Sequence, residues 1–564
     1  MQSNVPSYVH GTSPQSLLPL TVAGLLQNTA VRHPNADALI VPYQGIRWSY
    51  RDLQNEVERY AAGFAALNLR PGERIGIWAP NCWEWVVTQF ASARAGLVLV
   101  NINPAYRLAE LSYALATTGC AALIATRQFK SSDYIAMLKE LIPELGEAAA
   151  GHLDTARFPD LRLMLLLGQQ EEAGFMQFEA IPDKADKKHL KQIEKLQGQL
   201  QFDDPINIQF TSGTTGTPKA STLTHHNIVN NAYFVGLQMK LSETDRMCIP
   251  VPMYHCFGMV LGTLCCVAHG SAMVFSSAGF DAVDVLRTID AEGCTVLHGV
   301  PTMFIAELEV PEFKDCKLTM LRTGIMAGAP CPVELMRRVM DEMHLGEITI
   351  AYGMTETGPV SFETSVDDPV ERRVTTVGRV LPHIEIKIVD EDGRIIPRGE
   401  AGELLTRGYC VMPYYWNDPE RTAKAIDEAH WIASGDVATI DDEGYCEIVG
   451  RIKDMLIRGG ENIFPREIEE YIYKHPAVEQ VEVIGVPDEK YGEQVCAWIK
   501  LREGSSLTAE EIRTFCEGKI AHFKIPEYVR FVDEFPMTVT GKVQKYIMRE
   551  KMVDELKNQQ RKTG

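Results

Sequence analysis

No stretch of roughly eighteen uninterrupted apolar residues occurs in this 564-residue chain, so no ordinary membrane-spanning helix is expected. The 13 cysteines include no Cys-x-x-Cys pair, and only Cys265 and Cys266 are adjacent. An odd, unpatterned set argues against a disulfide framework and a zinc site, and for reduced thiols in a cytosol-like compartment. No Lys or Arg precedes Arg32. That argues against a secretory signal or an Arg-rich mitochondrial presequence. Lys562-Thr563-Gly564 is not a peroxisomal address. A cytoplasmic location is the expectation. Positive charge is also scarce: 55 basic against 75 acidic residues leave a net charge of -20. Nonspecific nucleic-acid binding is therefore not expected, and any anion site must be made positive locally. No internal repeat or long low-complexity segment is present, and nothing in the sequence decides between a monomer and a homo-oligomer.

At 564 residues the chain is too long for one ordinary core. Residues 1–200 alternate helical and strand patterns, with helices expected over 53–67 and 83–93 and a strand over 74–78, as in an α/β layer structure. Residues 183–200 read as a solvated, lysine-rich helix or loop. From about residue 380 the pattern changes to short alternating strands and tight turns, exemplified by Ile384 to Val389 followed by Asp390-Glu391-Asp392-Gly393. After residue 453 it changes again, with a helix over 466–473, a strand over 478–486 and a helix over 508–518. The expected architecture is α/β. A large N-terminal domain, 1–452, has mixed and parallel sheets flanked by helices and includes a β-rich subdomain at about 380–452. A small mobile α+β lid follows, 453–564.

The richest stretch is Thr211-Ser212-Gly213-Thr214-Thr215-Gly216-Thr217-Pro218-Lys219. It follows an alternating strand, 206–210, and precedes Thr224-His225-His226-Asn227, which reads as a helix start. Glycines let backbone N–H groups approach an anion, hydroxyls add donors and lysine adds charge, so the pattern suits a phosphate cradle between a strand and a helix. It is not a Walker A loop, because Lys219 trails Gly216 by three residues. Further along come Pro252-Met253-Tyr254-His255-Cys256-Phe257-Gly258, Leu297-His298-Gly299-Val300-Pro301-Thr302 and Gly324-Ile325-Met326-Ala327-Gly328-Ala329-Pro330. Then follow Tyr352-Gly353-Met354-Thr355-Glu356, Ser434-Gly435-Asp436, the run Gly450 to Ile463, and Pro536 to Val543.

In this order the segments resemble the signatures of the adenylate-forming (AMP-binding) superfamily. The runs Ser7 to Gly11 and Arg458 to Glu469 make the chain look most like its medium-chain fatty acyl-CoA synthetases. The resemblance implies an AMP-forming acid–thiol ligase that uses a fatty acid, ATP, Mg²⁺ and CoA. It makes Thr211 to Lys219 the phosphate loop, and Gly328, Ala329, Pro330 and Tyr352 the adenine contacts. Thr355 would donate to the α-phosphate, Glu356 would hold Mg²⁺, and Asp436 and Arg451 would hold ribose or phosphate. It gives Lys542 the catalytic role, Lys453 the hinge, and Arg458, Gly459 and Gly460 the CoA tunnel. Tyr233, His255, Gly299 and Met326 would line the acyl pocket, with His255 bordering the reacting group and Gly299 leaving room for a chain. A ligase that loads a carrier protein and a luciferase-like oxygenase are alternatives within the same fold; a non-catalytic nucleotide sensor would be expected to lose Lys542, Glu356 or Asp436, and all three are present. One departure stands out: Ala220 occupies the place after the loop lysine where the family has glycine. If that backbone needs a positive φ, alanine costs about 1 kcal/mol.

Overall fold

In the computed structural model, which describes residues 5–211, 218–488, 490–538 and 542–563, two large sheets carry the body of the molecule. One has eight strands. Its centre is parallel: Arg74–Trp78 lies between Val98–Asn101 and Cys120–Ala125, and Leu163–Leu166 pairs beyond. Cys120–Ala125 and Leu163–Leu166 are buried at every position. Both faces are covered, which is why these strands read as unbroken apolar runs. The other sheet has nine strands. Its parallel centre runs through Arg246–Cys248, Val296–Gly299, Thr323–Ala327 and Glu347–Tyr352. The expected helices form as Tyr50–Ala66, capped reciprocally by Ser49 and Asp52, and Trp83–Arg94, buried around nearly its whole circumference. The lysine-rich segment forms the helix Lys187–Gln197, which buries only Ile193.

The third sheet is antiparallel and contains Ile384–Val389, Gly402–Gly408, Ile432–Ile440 and Cys446–Arg451. Its outer strand is Tyr8–His10, with Val9 opposite Ile386. The sequence reading did not assign that strand here, because no local pattern reveals a partner so far along the chain. Beyond the single turn Ile452–Asp454, a separate sheet contains Leu456–Arg458, Glu461–Ile463, Val478–Asp488, Gly492–Leu501 and Tyr528–Phe531. Its own apolar core includes Leu456, Ile468, Ile472, Val483, Val495 and Ile512.

Two expectations change at the phosphate loop. The strand Pro205–Thr211 does not lead through the loop into a helix. It pairs antiparallel with a second strand, Lys219–Thr224, with Thr211 opposite Lys219. The loop therefore joins two arms of a hairpin. The helix His225–Gln238 begins only after the second arm, where Thr224 and Asn227 cap it reciprocally. That arm is six residues long, or about 20 Å, too far for the helix N-terminus to act on the loop. Ala220 sits within the same arm opposite Phe210. It is absent from the positive-φ residues, is 4% exposed and packs into an apolar cluster with Ile208 and Val100. The expected strain does not arise. Ala220→Gly should destabilise the protein by about 1–2 kcal/mol, through lost methyl burial and backbone entropy, without raising the adenylation rate; chemical denaturation and single-turnover rates check both.

Candidate active site

The hairpin brings Thr211 and Lys219 side by side at its open end, and Tyr113 braces the loop by donating its hydroxyl to the Pro218 carbonyl at 3.1 Å. The loop residues Ser212, Gly213, Thr214, Thr215, Gly216 and Thr217 lie outside the described residues. Thr211 Oγ1 donates to Glu356 Oε1 at 3.1 Å, so the hairpin touches the turn Thr355–Thr357. That turn follows directly on the strand Glu347–Tyr352. The chain can turn so tightly there because Gly353 has no side chain; a Cβ would stand 2.1 Å from the Pro359 carbonyl oxygen. Glu356 and Thr355 are both buried, and the Thr355 hydroxyl lies 3.8 Å from Cys256 Sγ.

From the end of the same strand, Tyr352 donates its hydroxyl to Asp436 Oδ2 at 2.6 Å. Burial first, and the Asp436 charge second, push the phenol well above its ordinary value, so it remains a donor. Asp436 is opposite Arg451 across two antiparallel strands, and Arg451 Nε stands 3.0 Å from Asp436 Oδ1. This is a close ion contact rather than an aligned hydrogen bond, and it leaves a buried carboxylate oxygen without a hydrogen-bond partner among the described residues. A buried acceptor of that kind suits a ligand hydroxyl.

Lys542 enters this group from the C-terminal sheet's side. Burial lowers its amine below the ordinary lysine value and the Arg451 charge lowers it further, opposed by Cys256, Glu356 and Asp436. Its Cε lies 3.7 Å from where a Cβ on Gly328 would stand, and Gly328 holds φ +88°. Gly328 and Pro330 are exposed and Ala329 half-buried, forming an open shelf beside the lysine. The loop carrying Lys542 is closed by the Thr538 amide donating to the Lys542 carbonyl at 2.8 Å, and by the Lys542 amide donating to Thr538 Oγ1 at 3.0 Å. Three residues on, Lys545 inserts its ammonium between Glu469 and Glu482 and donates to the Val483 carbonyl at 3.2 Å. Burial alone would lower the Lys545 amine, but the two carboxylates overcome this and raise it. That clasp ties the start of the last helix to the core of the C-terminal sheet.

His255 belongs to the same cluster. Its Nδ1 accepts the Phe257 amide at 3.2 Å, which places the proton of the neutral ring on Nε2. Burial, then the Lys542 charge, pull its pKa down to about 3. Burial pushes the neighbouring Cys256 thiol up to about 11, so both side chains are neutral. His298, by contrast, is a satisfied core residue. Its Nδ1 accepts the Ile325 amide (3.2 Å), and its Nε2 donates to the Leu261 carbonyl (3.1 Å).

The acyl-pocket expectations divide. Gly299 and Met326 are register partners on adjacent parallel strands. The space before Gly299 is filled, however, since a Cβ there would meet the Phe304 ring at 2.9 Å. The expected room for a chain at Gly299 is thus taken by Phe304. Tyr233 packs its ring on His269, centroids 5.6 Å apart and nearly parallel. Among the described residues it shares no hydrogen bond or ring contact with His255, Gly299 or Met326. Gly459 and Gly460 form a left-handed bend at φ 61° and 91° between Leu456–Arg458 and Glu461–Ile463. The Gly459 amide donates to the Tyr491 carbonyl and Arg458 to the Phe523 carbonyl, both within the C-terminal unit. Lys453 is exposed in the connecting turn.

Comparison with known proteins identifies the family. The model of the AMP-binding enzyme family matches residues 26–416, and that of the AMP-binding enzyme C-terminal domain matches 467–542. A mitochondrial medium-chain acyl-CoA ligase of Danio rerio is 46% identical over 98% of this chain and 91% of its own length. The protein YngI of Bacillus subtilis is 47% identical over 95% of this chain and 98% of its own. The crystal structure of an anthranilate CoA ligase with anthranoyl-AMP superposes with a TM-score of 0.83 at 25% identity, covering 94% of this chain and 97% of that one. The chain belongs to the AMP-binding enzyme family.

Within the site, the Tyr352–Asp436 bond is the simplest to interrogate. Tyr352→Phe strands a buried carboxylate oxygen, which costs about 1–3 kcal/mol. We expect KM for ATP to rise about tenfold with KM for the carboxylic acid little changed, as steady-state kinetics with each substrate varied would register.

Proposed function

We propose that this protein is an ATP-dependent acyl-CoA synthetase acting on medium-chain fatty acids. The observation that carries the reading is the gathering of Lys542 with Asp436, Arg451 and Glu356 from separate parts of the chain. The identity to the Danio rerio ligase supports the choice of acyl-CoA product and of chain length. The 13 free cysteines fit a thiol-reducing compartment, and the cytoplasm is the proposed location.

In the first half-reaction a carboxylate oxygen attacks the α-phosphorus of ATP, and the bond to pyrophosphate breaks. Two anions must meet, so the protein's task is charge compensation and alignment. The Thr211–Lys219 loop holds the phosphates, Thr355 donates to the α-phosphate, and Asp436 accepts the ribose hydroxyls with Arg451 beside it. Tyr352, Gly328, Ala329 and Pro330 border the adenine. Glu356 is the residue to hold Mg²⁺. A single carboxylate with hydroxyls around it is a hard oxygen donor set. Among the described residues no three His, Cys, Asp or Glu side chains gather, as suits an ion carried largely by phosphates and water. Bound there, Mg²⁺ supplies neutralisation of phosphate charge. Lys542 spans the incoming carboxylate and the α-phosphate, and neutral His255 borders the acyl group. In the second half-reaction the CoA thiol attacks the acyl carbon and AMP leaves. The lid turns about Lys453, withdrawing Lys542 and presenting Arg458, Gly459 and Gly460 to the pantetheine arm. Met326 remains the proposed acyl-pocket wall, with Gly299 and Tyr233 behind Phe304 and His269.

A pyrophosphate-release screen over straight-chain acids of graded length, with and without CoA, tests the reading. We expect a maximum at medium length and CoA-dependent formation of thioester; release that ignores every fatty acid would reject it. The pH dependence follows from the site's charges. The active form of Lys542 is the ammonium, and its pKa lies below that of a free lysine, so kcat/KM for adenylation should fall on the alkaline side earlier than an ordinary lysine would dictate. His255 titrates near 3, so the imidazole should impose no limb in the neutral range. Lys542→Arg, which stays charged, should remove the alkaline limb at a lower rate; a pH–rate series on both proteins reads this out.

A further inference from the structure

The last strand of the eight-stranded sheet is only two residues long, Tyr414–Tyr415, and it pairs antiparallel with Lys219–Thr224, placing Tyr415 opposite Ser221. Its backbone is fixed on both sides. The Tyr415 amide donates to Thr422 Oγ1 at 3.0 Å, and the Trp416 amide donates to the Ala220 carbonyl at 2.8 Å. The Tyr415 side chain is 4% exposed and runs inward between two residues of the site. Its hydroxyl donates to Glu356 Oε1 at 2.9 Å. That is the same oxygen that accepts the Thr211 hydroxyl at 3.1 Å. Over the face of its ring, the Lys219 ammonium lies 5.1 Å from the centroid, within cation–π range. The Met412 amide closes the arrangement by donating to the Glu356 carbonyl at 2.9 Å.

One aromatic side chain therefore faces both the lysine that ends the phosphate loop and the carboxylate beside it. Both hydroxyl bonds converge on Oε1, and Oε2 receives neither. A carboxylate held by two donors on one oxygen keeps a fixed rotation and presents the other oxygen in a fixed direction. We propose that Tyr415 is a positioning residue, which locks Glu356 through Oε1 so that Oε2 faces the nucleotide-bound metal ion, and sets Lys219 at a fixed distance from that carboxylate. Through it, the hairpin and the Thr355–Thr357 turn move as one unit. The inference rests on the proposed role of Glu356 as the Mg²⁺ residue.

Tyr415→Phe keeps the ring beside Lys219 and removes only the bond to Glu356. Mn²⁺ is titrated by electron paramagnetic resonance into the full-length protein saturated with the β,γ-imido analogue of ATP. Binding of the analogue without metal is measured separately by calorimetry. Mn²⁺ binding should weaken about tenfold, as expected for loss of one hydrogen bond to a charged group, while metal-free analogue binding stays unchanged. Tyr415→Leu, which also removes the ring, should weaken metal-free binding as well. Unaltered Mn²⁺ affinity in Tyr415→Phe would overturn the proposal. So would an equal loss with and without metal, since that marks general loosening of the site rather than orientation of one carboxylate. If Glu356→Gln in the otherwise unaltered protein left Mn²⁺ affinity intact, the assigned role of Glu356 would fall, and the proposal with it.

Discussion

A buried ammonium is tolerated only where other groups replace its water. Lys542 is half-buried and in part stripped of water, and charged groups of the site bear on it from several sides. Glu356 and Asp436 offset its lost hydration, and Arg451 limits how far they do so. The balance is incomplete, because the amine remains lowered. A second anion would complete it, and in the proposed reaction a carboxylate meeting a phosphate supplies that anion. The lysine is thus held where it is most needed only when negative charge builds beside it.

Most of these charges are placed by strand ends, strand register and hydrogen bonds. Tyr352 and Glu356 leave the end of one central strand, and the tyrosine reaches across to Asp436 in a different sheet. Asp436 and Arg451 are locked by strand register. The hairpin contributes Thr211, whose hydroxyl donates to Glu356, and Lys219, which lies over the ring of Tyr415, itself a donor to Glu356. Only Lys542 comes from a loop belonging to a separate core, and even that loop is anchored by Lys545 between two carboxylates. The proposed two-step reaction, with competing occupants of one face, would use that difference in origin by moving Lys542 against the remaining groups.

Much of this was readable in the chain. Alternation marked 206–210 and 384–389 as strands, and apolar spacing marked the helices within 50–66 and 83–94. The ordered signatures imply one site for Glu356, Asp436, Arg451 and Lys542, and the fold brings these four together. What escaped were the long-range pairings. Lys219–Thr224 carries no clean alternation because most of it is buried on both faces, so local pattern alone does not distinguish the second arm of the hairpin from a loop leading into a helix. Tyr8–His10 finds its partner near residue 386, which no local window contains. Tyr415 lies in no signature, and its contacts to Glu356 and Lys219 exist only after folding. Gly299 misled for the opposite reason. A missing side chain signals space, but the Phe304 ring fills it.

The most direct test separates the two half-reactions in Lys542→Ala. Acyl-adenylate formation from fatty acid and ATP is followed in a single turnover without CoA. Thioester formation is then followed from acyl-adenylate supplied ready-made with CoA. The account predicts near-complete loss of the first step with the second largely retained. Comparable loss of both steps, or retention of the first, would contradict it.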